Sequence, residues 1–269
     1  MKNQSRLVKG IVASLLFGLV IGRATFTPAT ALARQGDEAY TIKRVFIKGE
    51  VKFFKLTAAL TVSEDGKNEI PLKVTLFVKD ATKSLTEEGG AVVRMEFPKG
   101  LYDPGSGAVE IPPGLIPSVL MTLDKESHVL KSEKEGEGFG FANPERLIVL
   151  AALGFYPTKP VKIGDSWDIE VNDTENKEKR VKIGTATLKG REKRKGIDAF
   201  KIQWVADLVR KEGNKERKAH VEAEAFVDIK SGRAVYVKGK TDGELEQGIR
   251  KSEVTFEMLS GQEAKELDK

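Results

Sequence analysis

From Tyr40 onward, apolar residues recur at every second position. Leu72, Val74, Leu76 and Val78 alternate with Lys73, Thr75, Phe77 and Lys79, and Phe200, Ile202, Trp204, Ala206 and Leu208 alternate with Lys201, Gln203 and Asp207. Successive side chains of a strand point to opposite faces, so this period marks strands with one apolar and one wet face, the habit of antiparallel sheets. A third run sets Val254, Phe256 and Met258 against Glu253, Thr255 and Glu257. About a dozen such runs lie between Tyr40 and Leu259 and leave few gaps for a crossover helix. The expected fold is mainly β: large curved antiparallel sheet(s), arranged as an open half-barrel or as two joined β halves.

Turn signals fall where a meander needs them. Asp65-Gly66 is a strong two-residue hairpin candidate, because primed turns require positive φ. Gly89-Gly90, Gly196 and Ser231-Gly232 are weaker signals of the same kind.

One segment breaks the alternation. Asn143-Pro144-Glu145 reads as a helix cap with proline in the first turn, followed by an apolar run from Leu147 to Leu153 and a stop at Gly154. A short apolar helix is expected over 144–153, either plugging the core or covering a cavity. In the second case Leu147, Leu150, Leu153 and Phe155 are the candidate ligand-binding residues.

The flanks of that helix share an order of features. Ile47-Lys48-Gly49-Glu50 leads into a strand on one side and Lys162-Ile163-Gly164-Asp165 does so on the other. Residues 34–259 are read as one β-rich domain with pseudo-duplicated halves, 40–135 and 157–259, before a charged tail over 260–269.

The first 33 residues have the layout of a secretory signal. Lys2, Arg6 and Lys9 precede an apolar run from Ile11 to Ile21, and small-residue cut sites lie between Ala24 and Ala33. That run is too short to cross a bilayer as a helix, which takes about 20 apolar residues. The reading is a periplasmic or secreted protein with no transmembrane segment in its mature chain. Residues 1–33 also hold four basic and no acidic residues, so the formal +5 of the whole chain falls to +1 without them. The apparent basicity therefore implies no nucleic acid.

The chain has no cysteine, which excludes disulfides, thiol catalysis and thiolate metal sites. Gly164-Asp165-Ser166-Trp167 lacks the second glycine of a nucleophile elbow, and Gly136-Glu137-Gly138-Phe139-Gly140 is too acidic to cradle phosphate. His220, Glu222 and Glu224 share a strand face but read as a solvated row, and His128 reads as an exposed turn neighbour. No catalytic residue, metal site or cofactor is called for. For a hydrolase acting on an envelope polymer, Trp167, Trp204, His220 and Glu222 would be the residues to inspect.

Lys177 to Lys218 carries fifteen basic and six acidic residues. Its turn, with Lys189, Arg191, Lys193, Arg194 and Lys195, is the candidate anionic-surface site, suited to lipid head groups, anionic polysaccharide or another envelope protein.

Lys159-Pro160-Val161-Lys162-Ile163-Gly164-Asp165-Ser166-Trp167, with Asp228-Ile229-Lys230-Ser231-Gly232-Arg233, resembles exported bacterial β-rich domains of unknown function in which such a turn starts the second half. The chain is more distantly similar to the half-barrels of bacterial lipoprotein carriers, which cradle acyl chains. The resemblance implies an envelope location and no reaction. The combined reading is a non-catalytic exported envelope protein binding a hydrophobic or anionic ligand; the alternatives are a structural or adaptor protein without a small ligand, and the hydrolase.

Overall fold

The computed structural model describes residues 38–62, 69–112, 114–136, 156–172, 180–212, 215–246 and 249–267. The strands are β1 (Val51–Val62), β2 (Ile70–Leu85), β3 (Ala91–Asp103), β4 (Val109–Glu110), β5 (Ser118–Leu123), β6 (Val129–Glu135), β7 (Ser166–Asn172), β8 (Arg180–Arg194), β9 (Ile197–Glu212), β10 (Lys215–Asp228), β11 (Ala234–Glu246) and β12 (Ile249–Met258). They form one antiparallel sheet of twelve strands in the order β6-β5-β3-β2-β1-β12-β11-β10-β9-β8-β7, with β4 alongside β3.

Two arms meet at the β1–β12 pair. The first half of the chain meanders outward from β1 to the edge strand β6; the second starts at the opposite edge, β7, and meanders back. The edge strands do not pair with each other, so the sheet is open, and the β1–β12 ladder makes it one continuous sheet.

The expected alternation is realised on a single inner face. Met121 of β5 pairs with Val93 of β3, and Leu76, Leu56, Phe256, Val237, Ala225, Ile202 and Leu188 follow one another from β2 to β8 through cross-strand pairing. All are buried in one hydrophobic cluster, and Val93, Leu76, Met121 and Leu188 are at 0% exposure. The inner face is therefore shielded from solvent. Small residues, Ala186, Ala206, Ala223, Ala225 and Gly239, are interspersed along the buried face of the returning arm.

The arms also cross. The β5–β6 turn leaves β5 at the end of the sheet where β8 finishes, yet Asp124 and His128 of that turn meet Arg180, the first residue of β8. Right-handed strand twist, accumulated over a sheet this wide, turns one edge across the other.

The strands flanking Asp65-Gly66 pair as a hairpin, Val62 opposite Ile70; the turn itself lies outside the described residues. Lys195-Gly196 joins β8 to β9 with φ of 51° and 78°, the two positive values of a primed two-residue turn. The helix expected over 144–153 lies outside the described residues. The described helix, α1 (Gly261–Leu267), is short, buries no residue and falls in the segment read as a charged tail. No helix among the described residues is long and apolar enough to cross a membrane.

Candidate functional site

One end of the inner face is closed by the segment entering β1. Tyr40 forms an antiparallel bridge with Val161, and Val45 donates its backbone N–H to the Ser231 carbonyl. Between these anchors Ile42 is buried at 2%. The strap passes so near the β10–β11 turn that a Cβ at Gly232 would run into the Lys43 carbonyl.

A buried polar network lies beneath the strap. Asp80 Oδ2 accepts from Arg44 Nη2 at 2.8 Å and from Arg233 Nη1 at 2.9 Å. Arg233 Nη2 reaches Glu50 Oε2 at 2.9 Å and Thr82 Oγ1 at 3.3 Å. Two cations and two carboxylates balance formally, as buried charge requires. Tyr156 donates its hydroxyl to the Gly232 carbonyl at 2.5 Å. Its pKa is raised to about 12 by burial, partly offset by the positive charges of Arg44 and Arg233.

Beside this closure a pocket of about 480 Å³ opens between the strap and the β8–β9 hairpin. Tyr40, Ala199 and Ile229 give it apolar walls, while Arg191, Lys193, Glu38, Glu192 and Asp198 bring charge of both signs. Tyr40 packs against Phe200 with ring centroids 5.2 Å apart, so the apolar wall continues into the core cluster. The Arg191 guanidinium lies 5.5 Å from the Tyr40 ring centre, and the Tyr40 hydroxyl donates to Glu38 at 3.1 Å.

A β-bulge places the two cations there. Leu188 pairs with Ile202, but the register shifts before Gly190, so Arg191 falls opposite Phe200 and Lys193 opposite Asp198, on the inner face. Uninterrupted alternation from Leu188 would have sent both outward. The five residues of the expected basic site accordingly divide. Arg194 is on the outer face, 4.0 Å from the Tyr236 ring centre and 5.0 Å from that of Phe226, and Lys195 pairs with Glu257 of β12. Lys189 is exposed beside the bulge. Leu147, Leu150, Leu153 and Phe155 lie outside the described residues.

The residues named for a hydrolase do not converge. Trp204 is buried at 3% on the inner face, opposite Ala223. His220 and Glu222 have the opposite parity on β10 and face outward, where His220 Nδ1 lies 2.6 Å from Asp207 Oδ1. Trp167 packs half-buried at the β7 edge.

His128 is half-buried, not an exposed turn neighbour. Its Nδ1 lies 2.9 Å from Asp124 Oδ2 because Asp124 also caps the turn, accepting from the His128 backbone N–H at 2.7 Å. Asp124, Glu126 and His128 could offer three ligand atoms to a cation. Arg180 already stands there, 3.7 Å from Asp124 Oδ2 and 3.3 Å from His128 Nδ1, and supplies the positive charge.

No family model matches the chain, and no curated protein does. Among solved structures it is similar to lipovitellin, described for its lipid–protein interactions, at 11% identity and a TM-score of 0.47. That match covers 80% of this chain and only 25% of lipovitellin. LprF from Mycobacterium bovis matches at 10% identity over 79% of this chain and 85% of its own, with a TM-score of 0.26. A DUF1329 family protein from Desulfovibrio piger matches at 10% identity over the same shares, with a TM-score of 0.21. Scores below 0.5 at such identities assign neither family nor activity.

Proposed function

We propose that the chain is a non-catalytic, exported envelope protein that holds the apolar part of an amphiphilic ligand at the closed end of its sheet. The observation that carries this reading is the pocket beside the strap, whose Tyr40 and Ile229 walls run into the buried inner face while charged groups stand at its rim. A site with an apolar interior and a few polar groups at its mouth is the ordinary form of a small-ligand site. Export is supported by the basic-apolar-small leader of the first 33 residues.

Native mass spectrometry of protein purified from its own host tests the proposal. An added mass that extraction with organic solvent removes as an amphiphile is the expected result. A clean apo mass, together with no uptake of a twelve-carbon detergent, overturns it.

A further inference from the structure

The rim of the pocket is not cationic but mixed, and its charges are already arranged in opposed sets. Arg191 and Lys193 enter on the inner face of β8 through the bulge; Asp198 stands directly across the ladder from Lys193, and Glu38 approaches from the strap. Glu192 also borders the pocket, but its carboxylate is paired with Lys201 at 3.6 Å, which leaves two carboxylates, Glu38 and Asp198, against two cations. A purely anionic head group would meet Glu38 and Asp198 unsatisfied, and a purely cationic one would meet Arg191 and Lys193. A group carrying both signs a few ångströms apart satisfies each set.

We propose that the pocket recognises a zwitterionic head group made of a phosphate and a primary ammonium. Arg191 and Lys193 take the phosphate, since a guanidinium offers a planar fork of donors and a lysine a point charge. Asp198 and Glu38 accept from the ammonium, whose three N–H donors suit two separated carboxylates. The Tyr40 hydroxyl is already held by Glu38, which keeps that carboxylate on the pocket side of the strap. The apolar chains pass along Tyr40 and Ile229 toward Phe200. This inference rests on the amphiphile reading above and adds the class of head group.

Isothermal titration of the full chain with four probes tests it: dihexanoyl phosphatidylethanolamine, dihexanoyl phosphatidylglycerol, a neutral alkyl maltoside, and phosphoethanolamine without chains. The ethanolamine lipid is expected to bind about tenfold or more tighter than the glycerol lipid, as one or two charge-assisted hydrogen bonds allow. Lys193→Gln, an exposed rim residue whose loss leaves the sheet intact, should lower ethanolamine-lipid affinity by about tenfold and leave the maltoside unchanged. Asp198→Asn should remove the preference for ethanolamine over glycerol. Equal binding of both lipids and the maltoside, unaltered by either substitution, overturns the head-group assignment while supporting an apolar site. Phosphoethanolamine binding as tightly as its lipid supports the head-group site and overturns the amphiphile reading. Failure of all four probes overturns both.

Discussion

Arg233, on the turn entering β11, reaches Asp80 of β2 at 2.9 Å across 153 residues of sequence, and the same carboxylate oxygen holds Arg44 of the strap at 2.8 Å. One acidic side chain thus ties together the strap, the outgoing arm and the returning arm, at 2% exposure.

Removing that carboxylate leaves two buried guanidinium groups facing each other. Asp80→Asn keeps the volume and removes the charge, and breaking a buried pair at one partner typically costs about 3–5 kcal/mol. Guanidinium denaturation should show a loss of that order; a loss under about 1 kcal/mol would mean that water already solvates the network. Asp168, which pairs with Lys182 on the surface with both side chains more than half exposed, is the control. Asp168→Asn should cost at most about 1 kcal/mol.

Tyr156 makes the same closure sensitive to alkali. Its folded pKa of about 12 lies above the ordinary 10, so the folded state holds the phenolic proton more tightly than the unfolded state. The stabilisation is fully present below pH 10 and is lost as pH rises from 10 toward 12, by up to about 3 kcal/mol for a shift of that size. Ultraviolet titration should find one of the four tyrosines ionising last. Tyr156→Phe should flatten the loss of stability over that pH window, and an unchanged slope would remove Tyr156 as its cause.

Much of this architecture is legible in the chain, because a period of two with one wet face permits few arrangements other than antiparallel sheet. The phase of that period even marks Asp80: it continues Leu72, Val74, Leu76 and Val78 on the inner face, where an acid signals a buried partner. What the phase cannot show is the partner, since Arg44 and Arg233 lie outside the regular strands and arrive through tertiary contact. Arg191 and Lys193 are marked by the basic turn itself, but the face they take is not legible, for a different reason. The bulge after Leu188 reverses the parity of β8, and a glycine in a strand does not by itself say which side gains the extra residue. The width of the sheet was likewise readable and its crossing was not, because twist accumulates over strands that one run of sequence does not join.

Gly232 separates close approach from backbone strain. Its φ is 65°, and a Cβ there would meet the Lys43 carbonyl as well as lie 2.8 Å from the Arg44 Cα. Gly196 has a similar φ of 78° but open space around it. Gly196→Ala should therefore cost only the left-handed conformation, about 1–2 kcal/mol, whereas Gly232→Ala adds displacement of the strap. Urea denaturation should rank Gly232→Ala as the more damaging by at least about 1 kcal/mol, and limited proteolysis should begin near residue 43. Equal losses would mean that the strap yields without cost.

Arg180 governs how the two arms lie on each other. Its guanidinium bridges to Asp124 at 3.7 Å and to both ring nitrogens of His128 at 3.3–3.4 Å, the contact by which the β5–β6 turn meets the start of β8. With the Arg180 side chain 40% exposed, the bridge is worth little to global stability, on the order of 1 kcal/mol or less. Its effect is local, because β6 is an edge strand held on one side only by β5. Arg180→Ala should leave the denaturation midpoint nearly unchanged while hydrogen exchange in β5 and β6 quickens by up to about fivefold, the kinetic equivalent of about 1 kcal/mol of local opening. Exchange that rises equally in β1 and β12, at the centre of the sheet, would show a global loss and sink the idea of a latch between the arms.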